Sequence, residues 1–173
     1  MRPVTASVVI DAPRELVFEY LQDIASHAGF NDNYMKDFRL ERQESRGVGA
    51  AARFRIESAF ARIPILRPIA TLWAELVISQ VERPYRIVLE GRGGRNGRIP
   101  IGVAYRLTPY DHDMTRVEYT LDLDLQTRVD RLRGSLGGPS WLGYQSRKAL
   151  RRLKRILEAE AAQRAGAARV AAG

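Results

Sequence analysis

The chain has 173 residues and a formal net charge of +8, which suits one ordinary domain better than two. Hydrophobic residues make up 45% and charged residues 28% of it, a globular composition rather than a disordered or fibrous one. With no cysteine and only two histidines, the chain cannot form disulfide scaffolds, thiolate zinc sites, cysteine nucleophiles or multi-histidine metal sites.

The first predicted elements are one strand and two short helices. Alternating apolar residues predict a strand over residues 4–10, and this run is too short for a signal peptide. Asp11 or Ala12 caps the following helix and Pro13 begins it, because a proline suits a position whose N–H has no intrahelical partner. A second short helix is predicted around residues 26–34.

From residue 38 the apolar period changes to two, which predicts strands. Residues 38–45 and 50–57 flank Arg-Gly-Val-Gly at 46–49, a predicted hairpin whose glycines supply positive φ. The remaining strands are predicted over residues 71–82, 85–90, 98–108 and 115–125.

Residues 58–70 are apolar but are interrupted by Pro64 and Pro68, which excludes a regular central strand. Such a segment exposes more apolar area than a monomer normally leaves in water. A lid over a cavity, a dimer contact and a membrane-touching loop are the three interpretations. We expect the lid, because a bulky ligand must pass the loops at the open end of a curved sheet. The predicted gate residues are Phe60, Ile63, Ile65 and Leu66.

The C-terminal part is predicted to be a loop over residues 126–140 and a long amphipathic helix from Trp141 to about Arg164. An Ala-rich tail over residues 165–173 is expected to be disordered. The most apolar window, residues 59–78, contains two arginines, two prolines and a glutamate, so no membrane-spanning helix is predicted. A cytoplasmic location is the resulting expectation.

The positive charge lies entirely in the C-terminal quarter. Residues 1–127 contain 17 Lys/Arg and 17 Asp/Glu, whereas residues 128–173 contain 11 and 3. A basic surface permits contact with anionic lipid or nucleic acid, and a solvated helix face is the simpler interpretation. We expect at most a weak contact of the basic C-terminal helix with an anionic membrane, and no nucleic-acid partner.

The order of elements predicts an α+β fold. Hairpin-linked strands bracketed by helices favour a curved antiparallel sheet of six to seven strands around a long C-terminal helix, with two short helices after the first strand. Residues 1–164 are expected to form this single domain, as a monomer or a homodimer. A helix laid across the concave side leaves a cavity unless large side chains fill it.

Motifs along most of the chain, residues 4–160, resemble the START-like (SRPBCC) superfamily, and its polyketide cyclase/dehydrase-like branch is the nearest match. They are VVIDAPRELVFEYLQD at 8–23, Gly47-x-Gly49, ERPYR at 82–86, YRLTP at 105–109 before Thr115-Arg116-Val117, and Leu150-x-x-Leu153-Lys154. The resemblance implies the helix-grip fold, with a hydrophobic ligand cavity between the sheet and the C-terminal helix. The tryptophan common after the second helix is absent, and Phe30 or Tyr34 stands in for it.

Candidate ligand contacts come from the inward faces of the strands. Tyr105 and Tyr119 lie on the apolar sides of the last two strands, and their hydroxyls need partners when buried, so we expect them to be polar anchors. The predicted ligand-binding residues are Phe30, Tyr34, Phe54, Trp73, Leu89, Val103, Tyr105, Tyr119, Leu121 and Trp141.

The strand at 71–82 is apolar on both sides, so its orientation stays open. If the side of Trp73 faces the cavity, Glu75 is a carboxylate with a perturbed pKa and a candidate general base. If that side faces outward, Glu75 is a surface acid paired with an arginine. The catalytic candidates are therefore Glu75, Tyr105 and Tyr119.

Other polar groups have structural interpretations. The Asp-His-Asp at 111–113 lies in a tight turn, where three adjacent residues do not converge on one ion, so no metal site is expected. His27 has acidic neighbours in sequence, and a helix-end histidine bonded to backbone carbonyls is a simpler interpretation than an acid–base pair. The glycine-rich residues 91–97 lead into a strand rather than a helix, unlike a phosphate loop. No cofactor is predicted.

These features predict a protein that binds, transports or senses a small hydrophobic or amphipathic molecule, lipid-like or polyketide-like, in an internal cavity. The alternative is a polyketide cyclase or dehydratase in which Glu75, Tyr105 or Tyr119 moves protons in the same cavity. A membrane- or partner-associated chaperone that uses the basic helix is a third class. The lack of a His/Asp or Arg/Asp pair on inward strand positions favours binding over catalysis.

Overall fold

The computed structural model describes residues 2–57, 71–124 and 128–171. Strand β1 (Val4–Ile10) precedes helices α1 (Arg14–Leu21) and α2 (His27–Asn31), which a 3-10 turn at Ile24–Ser26 connects. The other elements are β2 (Met35–Leu40), β3 (Ala51–Glu57), β4 (Thr71–Glu82), β5 (Arg86–Gly93), β6 (Ile99–Asp111), β7 (Met114–Leu123) and α3 (Arg128–Ala171). A further 3-10 turn occupies Arg95–Gly97.

The seven strands form one curled antiparallel sheet in the order β1-β7-β6-β5-β4-β3-β2. Strands that are neighbours in the sheet are also consecutive along the chain, except β1 and β7. These two, the first and last strands in sequence, pair with each other. The core lies on the concave side, where α1, α2 and α3 cover the buried apolar residues. This arrangement confirms the predicted α+β fold with its long C-terminal helix and two short helices.

The β2–β3 connection differs from the predicted hairpin. Strand β2 ends at Leu40 instead of residue 45, because residues 45–47 pair with the segment that follows α1 rather than with β3. The Ser45 carbonyl accepts from Ile24 N at 2.8 Å, and Gly47 N donates to the Gln22 carbonyl at 3.1 Å. As predicted, the glycines supply positive φ, with 73° at Gly47 and 92° at Gly49.

Strand β4 has one buried and one exposed side. Ala74, Leu76 and Ile78 are buried on the concave side, whereas Trp73 and Glu75 are exposed on the outer side. Alternate strand residues point to opposite faces, so these five positions fix the orientation of β4 up to the register shift between Ile78 and Gln80. The side that lacks charged atoms is the buried one, because an unpaired carboxylate is costly to bury.

Helix α3 is longer than predicted at both ends. It begins at Arg128 rather than Trp141 and continues to Ala171 rather than Arg164, so the tail predicted to be disordered is helical as far as Ala171. Five of the nine residues from 128 to 136 are Arg or Leu, and four of the seven from 165 to 171 are Ala, all strong helix formers.

The apolar stripe of α3 faces the sheet as predicted. Leu150, Leu153 and Leu157 are buried against the concave side. At the C-terminal end of β1, Lys154 Nζ donates to the Val9 carbonyl at 2.8 Å, and the Glu158 carboxylate accepts from Asp11 N at 2.9 Å. Across the described residues, no helix combines the length and the apolar character needed to span a membrane.

Candidate functional site

A partly open pocket lies between the concave face of the sheet and α3. Its empty space of about 170 Å³ includes open solvent, and its packed lining leaves essentially no internal volume for a water molecule. Four elements line it: α2, with Tyr34 shortly after it, the centres of β6 and β7, and the inner face of α3. The lining residues are Phe30, Asn31, Tyr34, Tyr105, Tyr119, Ser146, Ala149 and Leu150.

Strand register places two tyrosines side by side in this pocket. Tyr105 of β6 pairs directly with Tyr119 of β7, and their ring centroids lie 5.3 Å apart. The imidazole of His27 lies edge-on to Tyr105 at 5.6 Å between ring centroids. The pocket therefore has an aromatic wall formed by two strands and one helix.

Four of the five polar side chains of the pocket are linked by hydrogen bonds, and Tyr105 is the exception among the described residues. The Tyr34 hydroxyl donates to Asn31 Oδ1 at 3.0 Å, and Asn31 Nδ2 donates to the His27 carbonyl at 3.1 Å. Tyr119 shares hydrogen bonds with the side chains of Tyr34 and Ser146. Buried hydroxyl and amide groups that are paired in this way stay in place without a ligand.

Burial keeps the three phenols protonated. It raises the pKa of Tyr34 and of Tyr105 well above the usual value, with the neighbouring Tyr119 adding to both shifts. Burial raises the pKa of Tyr119 to about 12, although its hydrogen bonds to Tyr34 and Ser146 act in the opposite direction. At neutral pH these side chains act as neutral hydrogen-bonding groups rather than as bases.

His27 is a structural histidine, as predicted. It is buried, and burial lowers its pKa to about 4, so the ring is neutral at pH 7. Its Nε2 lies 2.9 Å from the Leu21 carbonyl, and because a carbonyl only accepts, Nε2 carries the proton. The ring therefore joins α1 to α2.

The structure brings four of the predicted ligand-binding residues into the pocket: Phe30, Tyr34, Tyr105 and Tyr119. Trp141 packs edge-on against Tyr34 with 6.3 Å between centroids, which places it beside the pocket. The others extend the same buried concave surface without lining this pocket; they are Phe54, Leu89, Val103 and Leu121.

Two candidate residues, Trp73 and Glu75, lie on the outer face of the sheet instead of the concave face. Trp73 is 42% exposed on the outer face, where the Arg53 guanidinium stacks over its ring at 5.0 Å. Glu75 shares this outer face, beside Arg53 and Arg92 in the strand register, and so is a surface acid. Neither can contact a ligand on the concave side, which removes Trp73 as a binding residue and Glu75 as a general base.

Sequence reasoning missed four lining residues: Asn31, Ser146, Ala149 and Leu150. Ser146, Ala149 and Leu150 follow the helical spacing of the stripe that contains Leu153, and this signal would have found them. The predicted gate residues Phe60, Ile63, Ile65 and Leu66 lie outside the described residues. Glu57 and Thr71, the described residues on either side of them, pair with each other.

The pocket is narrower than the cavity that the resemblance implies. Typical ligand pockets have about 300–1,000 Å³, whereas the packed lining residues leave essentially no internal volume that a water molecule could occupy. Phe30 and the three tyrosines occupy the space under α3. The described residues thus leave no preformed space for a ligand, which would have to displace some of these side chains to enter.

Comparisons with known proteins agree with this architecture. The model of the family described as polyketide cyclase/dehydrase and lipid transport matches residues 1–158. No curated protein sequence matches the chain.

Three solved structures illustrate the fold. An aromatase/cyclase named Zhui, from a Streptomyces species, is 15% identical with a TM-score of 0.69, over 91% of this chain and 93% of its own. A Thermus thermophilus protein is also 15% identical with a TM-score of 0.69, over 91% and 98%. A START superfamily protein from Mycobacterium smegmatis is 15% identical with a TM-score of 0.58, over 93% and 97%. With the family model matching nearly the whole chain, the resemblance is confirmed: the protein belongs to the polyketide cyclase/dehydrase and lipid transport family and has the START-like helix-grip fold.

Proposed function

We propose that the protein is a cytoplasmic carrier or sensor that binds a small, uncharged amphipathic molecule on the concave face of its sheet. The observation that carries this proposal is the cluster of protonated phenols from Tyr34, Tyr105 and Tyr119 in an otherwise apolar pocket. Apolar walls with a few convergent polar groups are typical of small-molecule sites. Among the described residues the Tyr105 hydroxyl has no hydrogen-bond partner, so it is the phenol that can donate to the polar end of the ligand.

The lining of the pocket favours a ligand without charge. All eight lining residues are neutral, since Asn31 and Ser146 are the polar members besides the three tyrosines. A charged head group in this pocket would lose its hydration without gaining a counter-charge, which is costly. A carbonyl or hydroxyl oxygen, in contrast, accepts a phenol hydrogen bond at little cost.

The packing of the pocket limits how such a ligand is placed. Because the lining side chains leave essentially no free internal volume, a ligand would enter only as they move apart, with its polar end among the tyrosines. The remainder of the ligand would follow the apolar concave surface beyond Leu121 and Ile101 towards the end of β7. Leu123, which is half-buried there, is the next inward residue of β7.

Binding is better supported than proton-transfer catalysis. The phenols are too weakly acidic to serve as bases at neutral pH, and His27 is neutral and engaged with a backbone carbonyl. Within the described part of the concave face, no carboxylate accompanies them. A cyclase or dehydratase needs a base placed against the reacting proton. The residues of the pocket therefore favour a carrier or sensor over a cyclase or dehydratase.

Native mass spectrometry of protein purified without detergent tests this function. We expect a non-covalent one-to-one adduct of a neutral molecule, which organic extraction then releases for identification. The Ala149→Leu variant fills the pocket with additional carbon atoms and should lose the adduct. Ala159→Leu makes the same change at an exposed position of the same helix and should keep it.

A folded wild-type protein that carries no adduct and shows no saturable binding of an apolar fluorescent dye would refute the carrier function. Circular dichroism of each variant confirms that α3 is intact. An adduct that survives equally in both alanine variants would place the ligand elsewhere on the molecule.

A further inference from the structure

We infer that the outer face of α3 docks the protein on an anionic lipid surface. The surface consists of Arg147, Arg151 and Arg155, called here the basic stripe, with Tyr144 at its N-terminal end. It lies on the opposite side of α3 from Ser146, Ala149 and Leu150, which line the pocket. The inference is thus independent of whether the pocket holds the proposed ligand.

The distribution of charge makes α3 the basic surface of the molecule. Residues 1–127, which contain the whole sheet, have equal numbers of basic and acidic residues. The net charge of +8 therefore belongs to the segment from 128 onward, which is α3 and the two residues after it. Positive charge concentrated on one side of an otherwise neutral protein orients that protein on a negatively charged surface.

The basic stripe is linear and exposed. Its arginines are four residues apart, so they follow one another along one side of the helix over about 12 Å at 1.5 Å per residue. Tyr144, 53% exposed, extends the same side. Exposed tyrosines are enriched where a protein meets the headgroup region of a membrane.

The stripe residues differ from three other cations of α3 in their partners. Arg152 pairs with Asp32, Lys154 with Glu158 at 2.5 Å, and Arg164 with Glu160 at 2.6 Å. Among the described residues, the three stripe arginines form no ion pair, and Arg151 Nε donates to the Arg147 carbonyl. Like charges four residues apart repel each other on a helix. An anionic surface relieves that repulsion.

A lipid surface suits this geometry better than a nucleic acid. Helix α3 is buried against β1 and α2 along one side, so its outer side is the part open to a partner. A single straight row of arginines with a flanking tyrosine fits a planar array of anionic headgroups. Each basic residue near such a surface strengthens binding by roughly fivefold.

Vesicle co-sedimentation with the full-length protein tests the inference. The probes are vesicles of phosphatidylcholine with 30% phosphatidylglycerol and vesicles of phosphatidylcholine alone. We expect binding to the anionic vesicles only, weakened by added salt. The triple variant Arg147→Gln, Arg151→Gln, Arg155→Gln should bind at least tenfold more weakly.

A matched control removes the same three charges from the outer face of the sheet. The variant Arg86→Gln, Arg92→Gln, Arg106→Gln changes three exposed arginines of β5 and β6 and should bind within threefold of wild type. Replacing the stripe arginines with lysine should restore binding, which keeps the test decisive if the glutamine variant folds poorly. Ala149→Leu should bind vesicles like wild type, which separates docking from ligand binding.

Three outcomes would overturn the inference. The first is equal binding of the wild-type protein to neutral and anionic vesicles. The second is an equal loss of vesicle binding in the stripe variant and in the sheet variant. The third is displacement from the anionic vesicles by duplex DNA at equal charge concentration, which would make the stripe a nucleic-acid surface.

Discussion

At the scale of single residues, His27 determines a pH dependence that can be measured. Its folded-state pKa of about 4 lies below the ordinary value of 6.5 because burial disfavours the charged ring. Between these two values the unfolded chain binds a proton that the folded protein does not, so stability decreases as the pH falls from about 6.5 to 4. The decrease is on the order of 3 kcal/mol.

Urea unfolding at pH 7, 6, 5 and 4 measures this effect. The His27→Gln variant retains a side-chain donor for the Leu21 carbonyl but has no titrating ring, so its stability should change less over this window. His112, the other histidine, is 98% exposed at the side chain, and His112→Gln should behave like wild type. Identical pH profiles for His27→Gln and wild type would contradict the buried, neutral state of His27.

The residues of the pocket differ in how far the sequence could predict them. Tyr105 and Tyr119 were predictable, since β6 and β7 alternate cleanly between apolar and polar residues. Glu75 and Trp73 were not, because both sides of β4 are apolar enough to face a core and only the tertiary structure selects one. Asn31 becomes part of the site only through its contact with Tyr34, and no local pattern indicates that contact.

At the scale of secondary-structure elements, α3 combines two surfaces in one helix. Its inner side contributes Ser146, Ala149 and Leu150 to the pocket, and its outer side carries the basic stripe. The helical spacing of apolar and of basic residues in the sequence predicted both surfaces. The start of the helix could not be predicted, because the Gly-Gly-Pro at 137–139 is usually a helix-ending sequence and here lies within α3.

The segment over residues 58–70 remains the predicted gate. If Ile65 and Leu66 close over a bound ligand, closing removes their apolar area from water at roughly 25 cal/mol per Å². The Ile65→Ser, Leu66→Ser variant should therefore release a bound apolar dye faster in stopped-flow experiments, with a nearly unchanged melting temperature. Val48→Ser, at an exposed apolar residue of another loop, is the control. An unchanged release rate together with a shift from dimer to monomer would make the segment an interface instead.

At the scale of the whole molecule, the proposed ligand-binding surface and the net positive charge lie on different parts of the fold. The curled sheet is electrically balanced and provides the apolar concave face, whereas the net charge lies on the helix that covers it. The order of hairpins and the motifs along the chain were sufficient to predict this architecture. The narrow width of the pocket was not predictable, because it depends on how four aromatic side chains pack under α3.

The central claim is that the tyrosines of the pocket contact a neutral amphipathic ligand, and the ring resonances of the seven tyrosines test it directly by NMR. On titration with 1-decanol, the resonances of Tyr34, Tyr105 and Tyr119 should shift saturably. Those of Tyr85, Tyr110 and Tyr144, which are each more than half exposed, should not move. Shifts confined to the exposed tyrosines, or no saturable shift in the folded protein, would contradict the claim.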